Sequence, residues 1–182
     1  PQLDLAVVRI QQHPAILGQE GAADLTPFLG ALLDFKGKGA TMLMVGAVIM
    51  IACHLSFAFL LPAFPSKGLA LLLVVTLGVS FSLVPAALWP SVPKIIDSKI
   101  LGSAYCVIFW IQNIGLWLFP LLYGKILNNT NPEGTPATEL DHSVPLVMFA
   151  CLGVAAGLIA IYLKAVDKKK NLGLEQPNIK AE

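Results

Sequence analysis

An all-α membrane bundle is the fold class this sequence predicts, and three observations predict it. Of its 182 residues, 56% are hydrophobic and only 13% charged, with a mean hydropathy of +0.75. Soluble domains carry about a quarter charged residues, so this balance excludes a water-soluble globule and equally a disordered chain. The apolar residues lie in four long blocks without Asp, Glu, Lys or Arg. The lysines gather at alternate ends of those blocks. A net charge of +1 gives no reason to expect a nucleic-acid partner.

The first block lies between Lys38 and Lys67 and predicts a span over about 40–61. The second, Gly68 to Pro93, predicts a span over 68–90; the third, Ile100 to Gly124, one over 101–124. The fourth predicts a span over 144–163. Each block meets the roughly 20 residues needed to cross a ~30 Å hydrocarbon core as a helix. Backbone groups in lipid must be satisfied within the segment, and no block shows the polar alternation of a barrel strand, so helices are expected. Leu25 to Leu33 is apolar over half that length and reads as the end of a fifth helix. Residues 24–166 are thus expected to form the bundle. Residues 1–23 hold Asp4, Arg9 and Glu20 and read as a non-spanning N-terminal segment. Pro1 is not an initiator residue, which points to a fragment or a processed chain. Residues 167–182 read as a polar cytoplasmic tail, loose after Lys170.

Lys36 and Lys38 precede the first span, Lys94 and Lys99 separate the second from the third, and Lys164 and Lys168 to Lys170 follow the fourth. The alternate connections hold only Lys67 and Lys125, with Glu133, Glu139 and Asp141 in the longer one. The positive-inside bias places the Lys36 loop and the chain's far end together in the cytoplasm.

The third span carries Gln112 and Asn113 about 17 Å from Leu101, near the bilayer midplane. Polar side chains at that depth are costly unless they face protein or water, and transporter sites lie there. Trp110, Asn113, Trp117 and Pro120 share one helical face; Tyr105, Gln112 and Phe119 share another. These residues fit a cavity wall in which Gln112 and Asn113 hydrogen-bond a solute and Trp110 packs on it. They fit interhelical bonding and aromatic packing equally well. In the second span Phe81, Pro85 and Trp89 fall on one face. Pro85 removes a helix hydrogen bond, with Ser80 or Ser82 available for freed carbonyls, while Pro90 and Pro93 mark the exit. Trp89 reads as a ligand contact or an interfacial anchor.

His54 is the titratable side chain deep in a span and is expected to be neutral and bonded to a neighbour. Cys53, Cys106 and Cys151 lie in three spans and read as small packing residues. Gly153 and Gly157 form a small-xxx-small pair suited to close helix contact, within the fold or between subunits. Asn128-Asn129-Thr130 matches a glycosylation acceptor on the non-cytoplasmic side. No nucleophile constellation, phosphate loop, metal-ligand spacing or cofactor motif stands out, so neither an enzyme nor a cofactor or metal is expected.

Two stretches carry a family resemblance. The loop Gly30-Ala-Leu-Leu-Asp34-Phe-Lys36-Gly37-Lys38 resembles the signature loop of the major facilitator superfamily, with Phe35 and Gly39 where basic residues often stand. Gly30 would let helices approach, Asp34 would pair or cap, and Gly37 would make the turn. The run Leu83 to Lys94, then Leu101-Gly102-Ser-Ala-Tyr105 and Phe109-Trp110-Ile-Gln112-Asn113-Ile-Gly115, resembles helices ten and eleven of one branch of that superfamily. The branch includes lysosomal dipeptide transporters and their bacterial relatives. Cys106 departs from an expected glycine, and Gly18 to Asp24 departs from an expected apolar helix. The resemblance covers roughly Thr26 to Leu163 and implies a partial C-terminal six-helix bundle: helices nine to twelve plus the end of eight. It implies a transporter working by alternating access, with Gln112, Asn113, Trp110, Phe81 and Trp89 at the substrate. Its partners would be the lipid bilayer, a small-molecule solute and the missing N-terminal half of the transporter. Dipeptides or similar small polar metabolites are the implied cargo; a general metabolite or drug transporter, or a non-transporting truncated protein, stays open. The implied location is a bacterial cytoplasmic membrane, or a lysosomal membrane in a eukaryote.

Overall fold

The computed structural model describes residues 27–136 and 139–177, so the reading of residues 1–23 lies outside the described residues. A short helix α1 covers residues 27–36. Four long ones follow: α2 Gly39–Ala63, α3 Lys67–Ile95, α4 Leu101–Thr130 and α5 Ser143–Lys170. They contain 25, 29, 30 and 28 residues. At 1.5 Å per residue even the shortest is about 38 Å long, enough to cross the ~30 Å hydrocarbon layer. The fold is an all-α membrane bundle.

Small residues decide which helices touch. α2 lies in the middle, packed on α3 along one side and α5 along the other. Its buried positions are Gly39, Ala40, Gly46, Ala47, Cys53, His54 and Ala58. On the α3 side a Cβ added at Gly46 would meet Val84 Cγ2 at 3.4 Å, and the buried Ser80 Oγ donates to the Gly46 carbonyl at 2.7 Å. On the α5 side a Cβ at Gly153 would stand 2.7 Å from Ile51 Cγ1, and one at Gly157 would lie 3.6 Å from Ala47 Cβ. The glycine pair therefore serves contact inside the fold. Large apolar side chains point outward instead: Phe59, Leu71, Leu72, Val75, Leu158 and Ile159 are all exposed. In water such a surface would be a liability, whereas hydrocarbon is its natural surrounding.

The ends of the helices are tied by prolines' missing donors. Pro62 has no N–H for the Ala58 carbonyl, and Ser143 Oγ from the start of α5 donates to it at 3.1 Å. Just before it, residues Ser56–Leu60 widen into a π-helical turn in which the Leu61 N–H reaches the Ser56 carbonyl. Asp141 caps α5 by accepting the Ser143 N–H at 2.8 Å, and hydrogen bonds from Ser143 hold its carboxyl below the usual range. His54 donates from Nδ1 to the Met50 carbonyl at 2.8 Å, its ring 5.5 Å from Phe149.

α3 runs on to Ile95 with all three prolines inside it. Three details differ from the sequence reading. Gly30 makes no close approach, since a Cβ there would meet nothing within 4 Å. Of the three cysteines only Cys53 is buried; Cys106 and Cys151 are exposed. Within the segment after Lys170, residues 171–177 are held against the bundle. Asn171 turns the chain through a left-handed conformation (φ 50°), and Leu174 is 1% exposed. The reason is local: the first N–H groups of α2 have no helical acceptors, and this segment supplies them. Lys38 N–H donates to the Glu175 carbonyl at 3.0 Å, and Gly39 N–H to the Leu174 carbonyl at 3.1 Å.

Gly153→Ala should lower stability by about 1–3 kcal/mol, since Ile51 Cγ1 is an inner methylene next to the β-branch rather than a flexible tip. Gly157→Ala should be close to neutral, as its new contact with Ala47 is ordinary. Thermal unfolding in one detergent compares the two; equal losses would contradict the α2–α5 packing.

Candidate functional site: the open faces of α3 and α4

α4 stands apart from the other long helices in having no buried residue. It meets its neighbours at two points. Near its start the Trp89 ring of α3 stacks on Phe109, centroids 5.0 Å apart, and lies 5.7 Å from Tyr105. Tyr105 Oη donates to the Trp89 carbonyl at 3.2 Å. That carbonyl is available because its helical donor would be residue 93, a proline. Towards its other end Tyr123 Oη pairs with His142 Nδ1 at 2.7 Å, and its ring lies 6.0 Å from Phe149 of α5. Two aromatic clamps thus hold a helix whose middle is open.

The middle carries the residues singled out from sequence. Tyr105, Gln112 and Phe119 follow the stripe on which α4 turns its half-buried residues towards the bundle, though Gln112 itself is exposed. Trp110 and Trp117, on the neighbouring face, are 68% and 67% exposed. Asn113 shares that face, and its Nδ2 donates back to the Phe109 carbonyl at 2.8 Å. Its side-chain oxygen points away from that bond as an acceptor. Phe81 on α3 is also exposed, whereas Trp89 is half-buried in its stack. α3 and α4 run in opposite senses from the short loop between them. Counting about 6 Å for each four residues from the Trp89–Phe109 stack puts Pro85 level with Asn113 and Phe81 level with Trp117.

Pro85 adds a backbone group to that level, because it leaves the Phe81 carbonyl without its helical donor. The serines expected to answer it make bonds elsewhere: Ser80 Oγ to Gly46, and Ser82 Oγ to Gly78 at 3.0 Å. Sequence reasoning missed Tyr105 as a clamp. The signal was present in the pairing of Pro93 with a carbonyl four residues back.

The signature-loop residues form a second cluster at the lysine-rich end. Gly37 and Lys38 both adopt positive φ (69° and 66°), making the turn between α1 and α2. Leu33 of α1 packs with Ala86 and Ala87 of α3. Asp34, Asp167 and Glu175 all act electrostatically on the Lys94 ammonium. Gly30 lies four residues up α1 from Asp34 and touches none of this. Among the described residues no cluster of His, Cys, Asp or Glu could hold a metal ion.

Comparison with known proteins agrees with this architecture. The chain is 35% identical over 107 residues to the lysosomal dipeptide transporter MFSD1 of Danio rerio, covering 59% of this chain and 22% of that protein. The Bos taurus protein of the same name is likewise 35% identical over 107 residues, with the same coverage. The Homo sapiens protein is 32% identical over 108 residues, again 59% of this chain and 22% of the relative. The chain thus spans about a fifth of the length of the curated relatives it matches. No family model matches the chain, and no solved structure matches it. On these relatives and four membrane-crossing helices, the chain resembles the C-terminal half of a major facilitator superfamily transporter.

Tyr105→Phe should cost about 0.6–1.7 kcal/mol, the range for interhelical hydrogen bonds in membranes. In a Pro93→Ala background the Trp89 carbonyl regains a helical donor, so the same change should cost much less. A double-mutant cycle read by thermal unfolding checks this; equal costs in both backgrounds would remove the clamp.

Proposed function

We propose that this chain forms part of a secondary membrane transporter that moves a small polar solute by alternating access, with α3 and α4 as one wall of the passage. The observation that carries the reading is the pair Gln112–Asn113 in the apolar middle of a helix with no buried residue, level with the proline break in α3. A polar pair left open in hydrocarbon is costly, and a water-filled passage removes that cost. The wall offers what a small peptide-like solute needs. Asn113 Oδ1 accepts and the Gln112 amide both donates and accepts, the Phe81 carbonyl freed by Pro85 accepts, and Trp110, Phe81 and Trp89 give apolar surface. Dipeptides are the substrate class that this chemistry and the relatives' name support together.

In this mechanism two bundles rock about a midplane site, and the rest of the transporter supplies the opposing wall. The loop of Gly30, Asp34, Gly37 and Lys38 works at the lysine-rich end, which the positive-inside bias puts in the cytoplasm. The membrane is lysosomal in this reading, as in the relatives' name. Loss of one polar contact should weaken solute binding by about tenfold.

The test is uptake by the full-length protein in liposomes, with labelled dipeptides set against free amino acids and lipophilic drugs. Dipeptide flux is expected, with KM raised about tenfold by Gln112→Ala or Asn113→Ala at unchanged expression. Flux of drugs alone would replace the substrate class, and unchanged KM in both variants would remove the site.

A further inference from the structure

The segment that follows α5 runs across the lysine-rich ends of three helices. It touches α2 through backbone bonds from Lys38 and Gly39, and through the Glu175 carboxylate. Glu175 Oε1 accepts the Thr41 N–H at 2.9 Å, and Oε2 accepts the Thr41 hydroxyl at 2.7 Å. Lys164 of α5 donates to the same hydroxyl oxygen at 2.7 Å, so Thr41 joins α5 to the strap. Asp167 Oδ1 accepts the Leu174 N–H at 3.0 Å, and Lys94 at the end of α3 donates to the Gln176 carbonyl at 2.6 Å. Leu174, almost fully buried, lines a small cleft together with Leu33, Gly39, Ala87, Pro90 and Ser91.

The glycines of the turn are what let the strap in. A Cβ at Gly37 would stand 2.5 Å from the Glu175 carbonyl oxygen, and one at Gly39 would stand 3.1 Å from that of Leu174. What the strap holds is the weakest stretch of the bundle. Pro85, Pro90 and Pro93 remove three helix donors within nine residues of α3, so its last turns bend more readily than an unbroken helix. One side of those turns is fixed by Tyr105, the other by Leu174 and the Gln176 carbonyl of the strap, which accepts from Lys94 of α3. The Lys94 tie is exposed, and the others are two backbone bonds, the Glu175 and Asp167 carboxylates and the buried Leu174; none belongs to a helix ladder, so the strap can let go without unfolding the bundle.

We propose that residues 171–177 are a latch that clamps the proline-bearing end of α3 to the lysine-rich ends of α2 and α5, and that it opens and closes in each transport cycle. The latch rests on the transporter reading for its part in the cycle, but its opening can be measured without transport. Ser91 is buried at the seat, so its exposure reports the latch directly.

In the full-length protein in liposomes, with Cys53, Cys106 and Cys151 replaced by serine, Ser91→Cys is labelled by an impermeant maleimide from the lysine-rich side. Glu175→Gln is expected to speed labelling by about tenfold, as loss of a charge-assisted bond would. Gly37→Ala should speed it too, by displacing the strap without touching the carboxylate. Separately, Thr41→Cys with Glu175→Cys is bridged by a reducible bifunctional thiol reagent. Bridging should cut dipeptide flux about tenfold or more, and reduction should restore it. Labelling indifferent to both strap variants, or full flux from the bridged protein, overturns the latch. If the unmodified protein carries no solute while Glu175 still sets the labelling rate, the latch stands and the transporter reading falls.

Discussion

In hydrocarbon a backbone carbonyl that has lost its helical donor has no water to turn to, and that constraint shapes how these helices are joined. Two of the prolines create such carbonyls at places where another element answers. Pro62 frees Ala58, and Ser143 of α5 donates to it. Pro93 frees Trp89, and Tyr105 of α4 donates to it. The first tie fastens α5 to α2 at one end of the bundle, and the second fastens α4 to α3 at the other. A proline that weakens its own helix thereby becomes the address at which a neighbour docks. Such bonds are individually modest in membranes, so they set direction and register more than they supply stability.

Bulk attachment comes from packing, and here the helices divide sharply. α2, α3 and α5 bring glycine, alanine and serine to their shared faces, so backbones approach and dispersion contacts accumulate. α4 buries no residue, small or large, and its ring contacts lie near its two ends. A helix held at its ends and open along its middle can tilt or rotate at little cost. That freedom suits the proposed role of a wall whose polar residues meet a solute and then release it.

Much of this architecture could be read from the chain alone. Charge-free blocks of sufficient length announce membrane helices, because any lysine within them would be expensive, and Gly153 and Gly157 announce a close contact by their spacing. The polar pair Gln112–Asn113 stood out for the same reason: its surroundings are apolar. What could not be read depends on partners far apart in the chain. Glu175 meets Thr41 across 134 residues, and nothing in Leu-Gly-Leu-Glu-Gln-Pro distinguishes a strap from a solvated end. Gly30 looked like a close-approach glycine because its loop resembles a family pattern, yet open space surrounds it. Gly37, next in that pattern, is needed both for its positive φ and because the strap leaves no room for a side chain. The pattern names the turn but not what lies upon it.

α3 connects these features. Its upper half packs on α2 through Ser80 and Leu83 and has a regular helical ladder; from Pro85 onward it loses a donor every few residues. The polar level of the open face sits at the boundary between those halves, where Pro85 is level with Asn113. Bending at that boundary would move Trp89, and with it Tyr105 and the start of α4, because the stack and the hydrogen bond couple them. It would also pull Ser91 and Lys94 away from Leu174 and Gln176. Such a bend in one helix would therefore tie the geometry of the proposed solute-facing wall to the state of the strap some 13 Å along the helix, from Pro85 to Lys94. Any solute that favours one bend at the polar level must, by linkage, favour one state of the strap.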